Sequence, residues 1–429
     1  MAIILKNALY CDYKSFQLSS THIKVNADNS KPLDFYSDYH LIPLLEKDDV
    51  VIDCKGKLVT RSFACGHHHA YSALARGMGG PLKPPTNFYE NLKYLWWALD
   101  KSLDKESVEA SAYATAIACA KNGVTFVIDH HASPFFAQGS LEVIARVFEE
   151  VGISHLLCFE ISDRDGEKVL NNGFEATENY LKSNQGLVGL HASFTISDTT
   201  LKRAVALAEK YNSGIHIHTA EDKCDQNDAL NTYNKRVVER LYDAGVLNFS
   251  KSILVHCLHL SENERKIIAQ SPVYIAQNIE SNLNNNVGLF NGFGLNQNIM
   301  LGTDGMHSNM LRRFKAAYIY GQTTENISML QAYQRFIKVH DYISENNFEG
   351  DADNNLIVLD YQSPTEVNSD NFLAHLIFGI EPSDIQHLVS KGKLIIEDRK
   401  LTTVDEEEVL KFTQKVSKDL WKRFKNQKV

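Results

Sequence analysis

The fold class predicted from the sequence is α/β: a (β/α)8 TIM barrel with a small β-sandwich domain formed from both chain termini. Three observations predict it. Eight short apolar runs recur between residues 57 and 302, near-continuous rather than alternating, as expected of parallel strands buried on both faces. Amphipathic stretches of helical period separate most of them. The two ends of the chain, by contrast, are rich in short β-type runs and poor in helical signal.

Taken in order, residues 1–57 alternate runs such as Ile3-Ile4-Leu5 and Val50-Val51-Ile52 with polar turns. The same signature returns at 355–360 and 387–397, so segments 1–57 and 346–400 are expected to build one small domain. The barrel is expected over 58–345, with strands at 57–65, 124–128, 153–159, 187–190, 215–218, 253–258, 273–276 and 299–302. Residues 141–148 and 201–208 carry the helical period between them; the seventh and eighth runs are joined by an Asn-rich loop. In the last segment, 401–429, Val409, Val416, Leu420 and Phe424 fall at helical spacing and predict a terminal helix without a functional role. A doubly wound open sheet is the structural alternative, but it usually has fewer strands and gives no reason to place ligands on four of them.

Composition narrows the function. The 429 residues are 44% hydrophobic, enough for a large core, and the formal net charge is −9. No basic stripe or run of like charge is present, so neither nucleic acid nor an anionic membrane surface is an expected partner. Seven cysteines without a CxxC pair suit a reducing compartment better than a disulfide framework. The start, Met-Ala-Ile-Ile-Leu-Lys-Asn, lacks a signal peptide's charged opening and long apolar centre, and no apolar run approaches 18 residues. A cytoplasmic protein is expected, acting on a small molecule, and a homo-oligomer, as large barrel enzymes often are.

The chemistry sits where the predicted strands end. Strand 1 ends in His67-His68-His69; residues i and i+2 share a face, so His67 and His69 can reach one ion while His68 faces elsewhere. Strand 4 ends in His191, strand 5 in His216-Ile-His218-Thr-Ala-Glu221, strand 6 in His256-Cys-Leu-His259 and strand 8 in Gly302-Thr-Asp304-Gly. Singly, a histidine at a strand end is more often a hydrogen-bonded loop residue, and Thr-Asp-Gly is usually a turn. Together they fall at the carboxyl rim, where barrel active sites lie. Three neutral imidazoles and one carboxylate suit Zn²⁺ or another divalent first-row metal with a position left for water. Such an ion lowers the water's pKa from near 16 to about 7. Asp304 can ligate and accept the water's proton. Glu221 is placed to act as general acid toward a substrate nitrogen. His256 can orient the attacking group, and His191 can contact substrate.

These stretches resemble the amidohydrolase superfamily, specifically its deaminase and chlorohydrolase branch and most closely the SsnA-type aminohydrolases. The resemblance is carried by HHHAYSALARG (67–77), NLKYLWWALDKSL (91–103), VIDHHASP (127–134), GLHASFTISD (189–198), GIHIHTAED (214–222), ESNLNNNVG (280–288) and LGTDGMHSNM (301–310). It implies a barrel with a terminal β-sandwich and one metal, usually zinc or iron(II), held by His67, His69, His218 and Asp304. Glu221, His256 and His191 would be the proton shuttle, the partner of the attacking water and a substrate contact. The implied reaction is hydrolysis of a C–N bond in a small heterocycle with release of ammonia; loss of chloride or opening of a cyclic amide at the same mononuclear site is the alternative. A barrel kept as a non-catalytic scaffold is the reading from another class, and it would be expected to have lost ligands. Strand 4 has no lysine near its end, which argues against a dinuclear site. Arg61-Ser62 stands where the family usually has Pro-Gly, and the usual Gly-x-x-x-x-Gly-x-x-Ala-Asp-Leu is degraded to Glu-Gly-Asp-Ala-Asp-Asn-Asn-Leu356.

Several neighbours are weighed on their residues alone. Arg76 could bind a substrate carbonyl or carboxylate, a structural ion pair being an equal reading. One of His130 and His131, of which His131 is preferred, could line the pocket. Trp96 and Trp97 are read as core or subunit contact, the Asn282–Asn286 loop as a polar turn, and Cys257 as a small buried residue.

Overall fold

The computed structural model describes residues 2–27, 31–43 and 46–428. Its centre is eight parallel strands in sequential order: β1 (Phe63–His68), β2 (Val124–His131), β3 (Ser154–Ile161), β4 (Val188–Ala192), β5 (Ile215–Thr219), β6 (Ile253–His256), β7 (Tyr274–Gln277) and β8 (Ile299–Leu301). The ring closes just past β8. The N–H groups of Thr303 and Asp304 both donate to the His67 carbonyl (2.9 and 3.1 Å), and a parallel bridge pairs His68 with Asp304. Closure there needs a residue without a side chain. A Cβ on Gly302 would stand 2.5 Å from Asn278 Oδ1 and 2.7 Å from His67 Cβ.

Period two organises the interior. Phe126 and Ile128 of β2 and Leu156 and Cys158 of β3 join Val255, Ala276 and Met300 in one buried cluster, shared with Tyr342 and Ile343 of the helix Met329–Glu345. The next residues on the same faces, moving up the strands, are His130 and Glu160. The apolar core therefore passes directly into a polar upper layer. The opposite faces carry Val124, Val127, Leu157 and Phe159, which belong to the cluster formed with the surrounding helices.

The termini contribute one hydrogen-bonded mixed sheet of nine strands: Ile3–Cys11, Leu18–Val25, Leu33–Tyr36, Val50–Asp53, Leu58–Arg61, Leu356–Leu359, Ile385–Ser390, Lys393–Glu397 and Lys400–Leu401. Leu58–Arg61 pairs with Leu356–Leu359, so the sheet extends past residue 57 into the run expected to be the first barrel strand. That run divides at Ser62. Its N–H goes to the Asn355 carbonyl in the sheet (2.9 Å), and the next N–H, of Phe63, goes to Gly123 beside the barrel (2.8 Å).

The two departures from the family pattern meet at this division. Arg61, buried, pairs through Nη2 with Asp351 Oδ2 at 2.9 Å and through Nη1 with Asp353. Asp351 also accepts from His340 Nδ1 (2.7 Å), and its carboxyl is held well below the usual range: burial pushes it up, but His340 and Arg61 prevail. The terminal helix Glu406–Lys425 buries Thr413, Val416, Leu420 and Phe424, and its Trp421 Nε1 donates to the Leu74 carbonyl (2.8 Å), fastening it to the turn that follows β1. Among the described residues no helix is long and apolar enough to cross a membrane.

Candidate active site

The carboxyl ends of the strands bring the predicted rim residues together. Beyond β1, the His69 ring donates from Nδ1 to the His130 carbonyl (2.6 Å); at the end of β5, His218 donates from Nδ1 to the His191 carbonyl (2.8 Å). A carbonyl only accepts, so each ring spends its proton there and turns a lone pair on Nε2 inward. The two Nε2 atoms stand 3.1 Å apart. His67 Nε2 is buried with no hydrogen-bond partner, while its Nδ1 lies 2.9 Å from His216 Nε2. Asp304 Oδ1 is 3.2 Å from His69 Nε2 and 3.8 Å from His67 Nε2.

Facing lone pairs repel, and a shared cation removes the repulsion. Atoms bonded at 2.0–2.1 Å to one tetrahedral zinc ion stand about 3.3 Å from one another. The ligand atoms of His67, His69 and His218 lie within 4.8 Å of one another, and so do those of His67, His256 and Asp304. The set therefore fits a divalent metal. The electrostatics agree. Burial drives the His67 pKa far down, and burial plus the neighbouring imidazoles takes His218 to about 3, keeping both neutral as ligands must be. His69 alone is raised: burial lowers it, but Asp304 overrides that.

The backbone here is strained. Ala220 (φ 48°), His256 (φ 70°), Cys257 (φ 52°) and Asp304 (φ 55°) all adopt the left-handed conformation that non-glycine residues avoid. Such strain persists where surrounding structure enforces it, commonly at functional sites. At His256 the enforcing contact is Asn282, whose amide nitrogen donates to Nδ1 (2.7 Å). Nε2 then carries the proton, directed toward Glu221 Oε2 (3.4 Å) and Asp304 Oδ2 (3.8 Å). Glu221 is mostly enclosed, its side chain 13% exposed, and desolvation together with Asp304 raises its pKa well above the ordinary carboxylate value, which favours the protonated form.

These groups open on a cavity of about 70 Å³. His191 lines it, its Nδ1 2.9 Å from Thr195 Oγ1. Asn284 and Asn285 of the loop expected to be a polar turn line it too, Asn285 Nδ2 lying 3.5 Å from Glu221 Oε1. His68 faces away, between Asp129 (3.2 Å) and Ser308 (3.0 Å). Cys257 is buried and its thiol is pushed up by that burial.

Two expectations need correction. Arg76 is exposed and does not line the cavity, because the 3₁₀ turn Ala70–Ala75 carries the chain out to the surface before it. His131 lies outside the cavity lining as well. It is on the face of β2 opposite His130, with its ring against Tyr71 and Phe159 and Nε2 bonded to Ser133 Oγ (2.8 Å). Trp96 and Trp97 pack as the core reading expects, Trp97 buried and Trp96 against the main apolar cluster, and both also form part of the cavity wall. They lie where a π-helical turn, Leu92–Trp96, meets the short helix Trp97–Asp100, and such turns favour functional sites.

The sequence reading did not single out Asp100, Glu160 or Arg164, which also line the cavity. Glu160 was within reach: it lies one residue past the predicted third strand, at the rim that supplied the other candidates. Nothing local marks Asp100 or Arg164, since each acquires its place only when the helix Trp97–Asp100 meets the turn after β3.

Comparison with known proteins follows the same lines. A sequence model of the amidohydrolase family matches residues 58–335. A 5-methylthioadenosine/S-adenosylhomocysteine deaminase of Caldanaerobacter subterraneus is 27% identical over 407 residues, covering 87% of this chain and 89% of its own. A 5'-deoxyadenosine deaminase of Methanococcus vannielii is 29% identical over 407 residues, covering 89% and 93%. Among solved structures, a zinc-bound adenosine deaminase from Xanthomonas campestris superposes with a TM-score of 0.81 at 17% identity, over 97% of this chain and 98% of that one. A zinc complex of atrazine chlorohydrolase from Arthrobacter aurescens gives 0.80 at 13% identity, over 97% and 100%.

Proposed function

The chain belongs to the amidohydrolase family, and from that premise we propose that it is a metal-dependent aminohydrolase acting on a small heterocycle of the adenosine type with release of ammonia. One observation carries the reading: the inward lone pairs of His67, His69 and His218 gather beside Asp304, while Glu221, its carboxyl raised well above the ordinary range, lies 3.4 Å from His256 at the same rim. In this reading His67, His69, His218 and Asp304 hold one divalent ion, zinc first and iron(II) as the alternative. When bound, the ion supplies a water acidic enough to attack carbon at neutral pH.

The chain's own groups do the rest. Glu221 delivers its proton to the ring nitrogen beside the attacked carbon, so that the C=N bond opens without a buried anion. The His256 Nε2–H, fixed by Asn282, points into the same space and steadies charge developing on the incoming oxygen. Asp304 receives the proton that the attacking water gives up and passes it to the amino group, which departs as ammonia, while the new hydroxyl's proton returns to Glu221 as the C=O bond forms. His191 contacts the substrate from the β4 side. All seven cysteines are free, which supports a reducing compartment such as the cytoplasm.

The test is ammonia release. Zinc-loaded protein is incubated with adenosine, 5'-deoxyadenosine, 5-methylthioadenosine, guanine and a pterin, and ammonia is followed by a coupled assay. Turnover of at least one purine is expected. Silence across the panel, with chloride release from a chlorotriazine or opening of a cyclic amide, would replace this reading with the alternative.

A further inference from the structure

The cavity has a second charged region that the chemistry above leaves unused. Arg164 is largely enclosed, its side chain 10% exposed, and its Nη2 serves two carboxylates at once, Asp100 Oδ2 at 2.5 Å and Glu160 Oε1 at 2.8 Å. Its Nε lies 3.4 Å from Asp165, whose other oxygen is 2.6 Å from Lys101 Nζ. Three carboxylates thus face two cations, and the neighbouring His130, driven far below its ordinary pKa by burial, adds no charge. With all three carboxylates ionised the local balance is one negative charge in excess. Burying such an excess is costly unless something positive matches it.

Two further facts show where the match is missing. Asp100 lines the cavity and is 1% exposed, yet its Oδ1 has no hydrogen-bond partner. Arg164 is the only lysine or arginine among the described residues lining the cavity. The surrounding wall is aromatic: Tyr71, Phe88, Trp96 and Trp97 all line the space, and the Trp97 ring already faces the Arg164 guanidinium at 5.0 Å. Aromatic faces beside unmatched carboxylate oxygens make a surface for a cation. The Asp100 carboxyl is raised to about 7, by burial first and by Glu160 and Asp165 against the pull of Arg164. At neutral pH it can therefore exchange its proton for a ligand's positive charge.

We propose that Asp100 and Glu160, walled by Trp96 and Trp97, form a subsite for a protonated amine carried by the substrate away from the bond that is cleaved. This rests on the reading that the cavity holds the substrate, and it narrows that substrate to amine-bearing heterocycles.

Binding tests it without turnover. Two of the three tryptophans, Trp96 and Trp97, line the cavity, so intrinsic fluorescence reports occupancy. Zinc-loaded protein is titrated at pH 7 with benzylamine, which is protonated there, and with benzyl alcohol, its uncharged analogue. At least tenfold tighter binding of benzylamine is expected, falling to within twofold in Asp100→Asn. Glu160→Gln provides the same comparison should Asp100→Asn fail to fold. Equal binding of the two probes, no binding of either, or an unchanged preference in the folded variant overturns the subsite while leaving the aminohydrolase reading standing. Absence of ammonia release with the amine preference intact would remove the aminohydrolase reading alone.

Discussion

The imidazoles of His69 and His218 lie stacked, with 16° between their planes, their Nε2 atoms 3.1 Å apart and both Nδ1 protons committed to backbone carbonyls. Removing either ring removes a lone pair from the shared centre. His218→Ala is expected to hold less than about half an equivalent of metal after gentle purification and to lose turnover. His68→Ala should keep its metal, because His68 is bonded to Asp129 and Ser308 instead. Elemental analysis of the two variants side by side decides it; equal metal in both would remove His218 from the ligand set.

Glu221 meets His256 at 3.4 Å and Asn285 at 3.5 Å but makes no close approach to the paired Nε2 atoms. Glu221→Gln keeps the shape and loses the transferable proton. Metal content should stay at the wild-type level while kcat falls about 10²–10⁴-fold, the usual worth of a positioned proton donor. Near-normal turnover would show that another group moves the proton.

The barrel was legible in the sequence because strands buried on both faces are written as continuous apolar runs, and the ligand candidates because the rim rule needs only the strand ends. His67 and His69 could be paired from period two alone. The same rule, applied to β2, also puts His130 and His131 on opposite faces, but not which face turns inward; that depends on where Phe126 and Ile128 pack. Arg164 and Asp100 were illegible for a different reason. They are more than sixty positions apart, one at the end of a short helix and the other in a turn, and no local pattern records that one guanidinium will serve both Asp100 and Glu160. Arg61 and Asp351 stood out only as departures from a family pattern, and the sequence did not say that they were partners.

Asp100 gives a pH dependence whose sign is fixed. Its pKa rises from 3.8 to about 7 on folding, so between those values the folded chain binds more protons than the unfolded one. The stability it contributes is present below pH 4 and is lost as pH rises through 7. Asp100→Asn cannot titrate. The difference in urea midpoint between variant and wild type should therefore shift in favour of the variant from pH 5 to pH 8. A constant difference across that range would mean that Asp100 stays ionised in the folded state.

Arg61 is the one cation holding Asp351 and Asp353, with Asp351 buried against it at 2.9 Å. Truncation leaves the buried Asp351 carboxylate with His340 and a long contact from the Asn355 amide to meet it. Arg61→Leu should cost about 3–5 kcal/mol in a denaturant titration, the range for breaking a buried pair from one side. Because the pair sits at Ser62, where the chain passes from the sheet to β1, the loss should be global rather than confined to the sheet. A change below about 1 kcal/mol would show that the pair is solvated in solution.

Gly302 ties the barrel's closure to the site. It stands between β8 and the end of β1, and a Cβ there would come within 2.7 Å of His67 Cβ and 2.9 Å of His67 N. Backbone on one side and the buried Asn278 on the other leave no soft atom to move. Gly302→Ala must therefore push the end of β1 outward, and His67 goes with it. Overpacking of this kind costs about 1–3 kcal/mol, while a displacement of a few tenths of an ångström separates His67 Nε2 from the other ligand atoms. The variant should fold with a lowered melting temperature and bind zinc at least tenfold more weakly in a chelator competition. Gly80→Ala, where nothing lies within 4 Å of the added carbon, is the control and should change neither. Loss of stability in Gly302→Ala with full zinc affinity would show that the ring closes independently of the metal ligands.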